Sequence, residues 1–248
     1  MVDVKSKVSQ EEWQARQDLA AFYRTVPYFK WDDLIFTHIS AKVPGTEDEF
    51  LINPYGFLFD EITASNLVKV DLKGKILSDT NNFINPAGFT IHSAIHEARE
   101  DAHCIVHLHS NDGVAVASLK DGLLPLSQTG MLVRSQISYH DYEGVALFDE
   151  EKERLVKDLG QEKLMILRNH GTLAIGKNVA EAFTNIYFLE KACSYQVRAM
   201  SGSLELNYPS DEAIETTKQQ GQGREMAAAL LWPAVKRKME SLDPTFMN

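Results

Sequence analysis

The sequence predicts a layered α/β domain with substantial antiparallel strand pairing. Three observations carry this. Long segments of helical period alternate with short apolar runs of strand length, several of those runs are joined by hairpin-length turns, and no second core is evident in 248 residues. Ser9-Gln-Glu-Glu12 is a capping-box pattern opening a helix to about Arg24, with Trp13, Leu19, Ala20 and Tyr23 on one side. Leu34–Val43 and Phe50–Asn53 read as strands separated by the turn-prone Pro44-Gly-Thr, and Leu67–Leu72 followed by Lys73-Gly-Lys-Ile reads as a strand and tight hairpin. Helical spacing of His92, Ile95, His96 and Arg99 predicts a helix over Ala87–Arg99.

A strand through His107 and His109 follows. Then come a short helix at Val114–Leu119, short strands within Ser127–His140 and a helix at Glu150–Leu159. Met165–His170 and Leu173–Ile175 form a strand pair around His170-Gly171, before a long helix over Val179–Met200. Beyond Gly202 the chain turns polar. Gly221-Gln-Gly223 breaks any helix there, and Met226–Met239 is helical with Pro233 as a kink. Residues 1–205 are therefore expected as the domain, and 206–248 as an extension packing on it or on a neighbouring subunit.

Composition narrows the function classes. Apolar residues make up 44% and charged residues 24%, ordinary for a globular chain. A net charge of −10 argues against a nucleic-acid surface. The single dense basic stretch, Lys236-Arg237-Lys238, is read as cations compensating a helix end. The N-terminal Met1–Lys7 lacks the apolar core of a signal peptide, and no apolar run reaches the ~20 residues that cross a bilayer. The expected compartment is the cytoplasm, with neither nucleic acid nor membrane as partner. Cys104 and Cys193 sit in apolar periodic segments and read as small buried hydrophobes.

The chemistry-bearing residues are histidines. Side chains two apart on a strand share a face, so His107 and His109 project together while Val106 and Leu108 face the other layer. Two neutral imidazoles are half of a first-row metal site, and His170, ending another apolar strand, can complete a three-histidine site with an open position. A strand histidine is as readily a core residue held by a backbone partner, so spacing alone leaves the third ligand open.

Several motifs occur in one order: Asn53-Pro-Tyr-Gly-Phe, Leu67-Val-Lys-Val-Asp-Leu-Lys-Gly, Asn85-Pro-Ala-Gly-Phe-Thr-Ile-His92, Ile105-Val-His-Leu-His-Ser and Leu167-Arg-Asn-His-Gly-Thr-Leu-Ala-Ile-Gly. Together they resemble the class II aldolase/adducin family from about Leu19 to Gly202. Ser138-Tyr-His-Asp-Tyr-Glu-Gly and Lys191-Ala-Cys-Ser-Tyr-Gln-Val are similar to its adducin-like branch. The resemblance implies a three-layer α/β/α single domain around a mostly antiparallel sheet, a homo-oligomer (a tetramer in many members), and a small-molecule substrate. It also implies a divalent metal held by His107, His109 and His170, zinc first, with manganese or iron as alternatives.

Two departures bear on the reaction. The metal-proximal glutamate of the family's aldolases falls on Gly88 here, and the phosphate-binding hydroxyl residues and Gly-Asn pair fall on Pro86-Ala87 and Thr37-His38. Simple aldol cleavage and a phosphorylated substrate both lose support. Proton transfer is then expected from His92, or from His140 with Tyr142 and Tyr139 beside it. His96 is expected at the surface, His38 and His103 as structural, and Glu97, Glu100 and Asp101 as a solvated helix end. The function expected is a metal-dependent lyase, decarboxylating or cleaving aldol-fashion a small non-phosphorylated carbonyl acid. The alternatives are a non-heme iron oxygenase on this fold and a non-catalytic adducin-like interaction module.

Overall fold

The computed structural model describes residues 4–144, 149–221 and 225–248. Ser9 opens α1 (Gln10–Phe29), its hydroxyl accepting the Glu12 N–H at 3.1 Å, a cap that contributes about 1 kcal/mol. The Glu12 carboxylate turns inward to Arg16 and Lys69, at 2.9 and 3.0 Å. Strands β1 (His38–Lys42), β2 (Glu49–Ile52) and β3 (Val68–Asp71) follow. The strand expected from Leu34 begins only at His38. Leu34 and Thr37 have φ of 51° and 72°, left-handed backbone that a strand does not accept.

Asn85 caps α2 (Pro86–Ala98), and β4 (Cys104–Leu108) and α3 (Asn111–Ala117) come next. The stretch expected as short strands is α4 (Gln128–Arg134) and then β5 (Ile137–His140). Ser127 accepts the Gly130 N–H at 3.0 Å and starts a helix. The apolar run Met131–Val133 is too short for its period to distinguish helix from strand. The chain continues with α5 (Asp149–Leu159), the β6 (Leu164–Leu167) and β7 (Gly171–Gly176) hairpin, and α6 (Val179–Met200).

Beyond Gly202 a helix appears that the polar sequence does not announce, α7 (Asp211–Gln220). It buries no side chain and so carries no apolar stripe to read. Of the expected break, Gly221 caps α7, whereas Gln222 and Gly223 lie outside the described residues. Helix α8 (Glu225–Leu242) and a 3-10 turn at Pro244–Met247 close the chain. Lys236-Arg237-Lys238 does not end α8, which runs on to Leu242, and Lys236 pairs instead with Asp18 of α1 at 2.7 Å.

Among the described residues the strands form a seven-stranded sheet in the order β3-β2-β1-β4-β7-β6-β5, antiparallel throughout except between β5 and β6. On one face α1, α6 and α8 bury Ile39, Cys104, Val106, Leu108, Ile166 and Ala174. On the other, Ile91 and Ile95 of α2 and Leu155 and Leu159 of α5 cover Ile105, Met165, Leu173 and Ile175. This is the α/β/α sandwich the resemblance implies. Trp232 of α8 lies against Phe22 and Phe183, with ring centroids 6.0 and 5.4 Å away, and Phe246 is fully buried, so α8 and the Pro244–Met247 turn help complete the α1/α6 layer. Cys104 and Cys193 are buried free thiols. No helix among the described residues is long and apolar enough to cross a membrane.

Strand alternation positions the histidines. Cys104, Val106 and Leu108 face the α1/α6 layer, so Ile105 and His107 face the α2/α5 layer. The β1–β4 register sets His38 opposite His107 and Ser40 opposite Ile105, which places these two histidines side by side on the α2/α5 face of the sheet.

Candidate metal centre

His107 is the last residue but one of β4, His109 follows the strand, and His170 sits in the β6–β7 hairpin turn. Each offers a ring nitrogen lying within 4.8 Å of the other two, and the three ring centroids are 4.7–4.8 Å apart. The turn is tight: Asn169 has φ of 57°, and its N–H reaches the Ala117 carbonyl at 3.0 Å. Gly171 is required for a packing reason. A Cβ there would stand 2.3 Å from the Leu108 carbonyl oxygen and 3.2–3.3 Å from the His109 and His107 rings.

The second nitrogens are anchored. His107 Nδ1 donates to the Thr172 carbonyl, and His109 Nδ1 donates to the Asp33 carboxylate, each at 3.0 Å. These partners fix both tautomers and leave both Nε2 atoms with bare lone pairs. Those two Nε2 atoms are 3.0 Å apart. Two acceptors facing each other at that distance repel unless a cation stands between them and the third ring, so the donor set fits a divalent metal. Burial keeps His107 and His170 in the ligating form: it holds His107 well below the usual histidine range and His170 at about 4, with the neighbouring histidines adding to the shift.

Beneath the centre, Glu190 of α6 is buried and accepts the hydroxyls of Ser110 and Thr172. It thereby grips the residue after His109 and the one whose carbonyl anchors His107. Burial raises its carboxyl to about 7. Asp33, Thr172 and Glu190 are functional neighbours that the sequence reading missed. Only Glu190 leaves a signal, an acid on the apolar side of a long helix.

His140 is buried at the end of β5, with Nδ1 held by Asp158 at 2.7 Å and no hydrogen-bond partner at Nε2. Glu143 and Glu151 carboxylate oxygens lie 3.9 and 3.8 Å from that nitrogen. Tyr142 is 56% exposed, its ring centroid 6.5 Å from that of His170. Both line a shallow recess together with His170, Glu151 and Ile91. Tyr139, the other aromatic expected beside His140, does not line this recess: its hydroxyl accepts the Leu123 N–H and its ring carries the Arg168 guanidinium.

His92 is not brought to the three-histidine cluster. Its Nδ1 shares the Ser40 hydroxyl at 2.6 Å with His96 Nε2 at 2.7 Å, and His96 Nδ1 donates to the Ala102 carbonyl. His96, expected at the surface, is 1% exposed, because α2 lays that side of its last turn on β1 and β2, where the ring packs on Phe50. His38 stands between this relay and the metal-binding rings, with centroids 5.8 Å from His92 and 6.5 Å from His107. Glu97 and Glu100 are solvated, while Asp101 is tied to Arg99 at 2.8 Å.

The profile of the Class II Aldolase and Adducin N-terminal domain matches residues 17–197. A putative aldolase class 2 protein of Caulobacter vibrioides is 56% identical over 249 residues, spanning 100% of this chain and 97% of that one. Alpha-adducin of Rattus norvegicus is 47% identical over 191 residues, 76% of this chain but 26% of its own length. The solved structure of L-fuculose 1-phosphate aldolase from Glaciozyma antarctica superposes with a TM-score of 0.83 at 26% identity, covering 98% of this chain and 94% of that one. Profile, identity and superposition converge with the sheet order and the histidine geometry: the chain belongs to the family of class II aldolase and adducin N-terminal domains.

Proposed function

We propose that the chain is a divalent-metal-dependent lyase, working by decarboxylation or aldol-type cleavage on a small non-phosphorylated carbonyl acid. The observation that carries this is the pair of anchored imidazoles whose free Nε2 atoms face each other at 3.0 Å, with His170 completing the set. His107, His109 and His170 would hold the metal, zinc first and manganese or iron as alternatives. When bound there, such an ion supplies Lewis-acid stabilisation of a carbonyl or enediolate oxygen.

The chain's own residues do the rest. His140 offers Nε2 for proton transfer, with Nδ1 held on Asp158, and Tyr142 is the second proton carrier at the same recess. Glu190, through Ser110 and Thr172, keeps the ligand strands in register. The start of α2 speaks against a phosphate: Pro86 has no N–H, and the Ala87 N–H is already bound to the Asn85 side chain at 3.1 Å. Assembly as a homo-oligomer in the cytoplasm completes the reading.

Zinc-loaded protein incubated with a panel of keto and hydroxy acids tests it. Turnover is expected in the wild type and absent in His107→Ala, which also loses its metal, read as zinc per chain by mass spectrometry. A metal-loaded wild type that converts none of the panel defeats the lyase reading. The competing reading, a non-catalytic adducin-like module, draws on the 47% identity with rat alpha-adducin, and actin co-sedimentation decides it.

A further inference from the structure

His38 lies across the β1–β4 ladder from His107, on the same face of the sheet. Its ring is 5% exposed, and neither Nδ1 nor Nε2 has a hydrogen-bond partner. Buried polar atoms are almost always paired, so two on one ring call for an explanation such as a ligand. The hydroxyl of Thr37 next to it is likewise buried and unpartnered.

The space His38 fills is the informative part. A Cβ on residue 88 would stand 2.3 Å from His38 Cε1 and 2.4 Å from both ring nitrogens. Residue 88 can therefore carry no side chain while His38 keeps this position. Residue 88 is also where the resemblance puts the aldolase glutamate. The glycine and the histidine are thus two halves of one exchange, in which an imidazole arriving from β1 occupies the volume a carboxylate arriving from α2 would need.

We propose that His38 is a ligand-binding residue of the three-histidine centre, its ring N–H serving an oxygen of a small 2-oxo acid whose carbonyl and carboxylate lie side by side. This rests on the metal-dependent reading above and narrows its substrate class. The physical reason is charge. A glutamate beside the centre would repel a second anionic oxygen, and in a buried site that repulsion is weakly screened. A neutral N–H donor attracts the same oxygen.

Calorimetric titration of oxalate, a planar dianion with the oxygen pattern of a 2-oxo acid enolate, into zinc-loaded protein is the test. The wild type is expected to bind one oxalate per zinc. His38→Phe should keep the zinc and lose about tenfold or more in oxalate affinity, while His38→Gln, which retains an N–H, stays within about threefold. Oxalate bound equally well by wild type and His38→Phe, or not bound by zinc-loaded wild type, overturns the assignment and leaves the metal-dependent reading standing. A wild type that takes up no zinc removes both. Thermal melts give a readout free of metal should His38→Phe not fold. Gly88→Ala is expected to lower Tm in the wild-type background and to leave it unchanged or higher beside His38→Ala; equal losses in both backgrounds overturn the exchange.

Discussion

Two groups of histidines share one face of this sheet and differ in what anchors them. In the first, His107 and His109 each spend Nδ1 on a fixed acceptor, Thr172 or Asp33, and turn Nε2 towards a common point with His170. In the second, His92 Nδ1 and both His96 nitrogens are spent on Ser40 and the Ala102 carbonyl, and His92 Nε2 alone is left without a partner. The rings are chemically the same. The partner of each second nitrogen makes one group a ligand set and the other a brace between α2 and β1.

Substitutions can break that contrast, the largest expected effect coming at the anchor of the first group. Asp33→Asn leaves all three rings in place but weakens the hold on the His109 tautomer. Metal affinity is expected to fall about 10- to 100-fold, as losses of outer-shell partners do, with little change in Tm of the metal-free protein. Competition with a chelating dye measures this, and an unchanged affinity would remove Asp33 from the centre.

Ser40→Ala should act in the opposite manner. It strips a partner from His92 Nδ1 and from His96 Nε2, both buried, at a cost of roughly 1–3 kcal/mol in denaturant unfolding, while zinc per chain stays the same. A loss of zinc in this variant would join the two groups into one site.

Glu190 sharpens the contrast through pH. Its folded value of about 7 lies above the ordinary 4.5, so the fold favours the protonated carboxyl. Its contribution is present below about pH 4.5 and is lost as pH rises towards 7, by at most about 3 kcal/mol. Glu190→Gln mimics the neutral form, so its stability relative to wild type should climb between pH 5 and 8 and then level off. A pH-independent difference would show that the carboxyl ionises freely in the fold.

The smallest effect is expected at Tyr142, exposed at the recess: Tyr142→Phe should shift unfolding by no more than about 0.5 kcal/mol. If its hydroxyl moves a proton, kcat falls with KM nearly unchanged, and equal kcat values would leave that work to His140.

The sequence by itself determined the elements whose cause is local. The Ser9 cap with α1, the unbroken apolar period of α6 over Val179–Met200, and the alternation that puts His107 and His109 on one face are all written within a turn or two of chain. The motifs around those histidines also made the family legible, and through it the sandwich and the third ring, His170. Where the local signal is weak, the reading failed. α4 is only 7 residues long and holds the short apolar run Met131–Val133, and α7 has no buried side to leave a stripe.

Only the tertiary structure decided which atoms meet. Asp33 and His109 are 76 residues apart, Ser110 and Glu190 are 80 apart, and His38 reaches the space above Gly88 only because β1 pairs with β4 and α2 lies across both. Burial, orphaned nitrogens and raised or lowered proton affinities are properties of such meetings. Periodicity reports which face a side chain takes; it does not report what stands opposite.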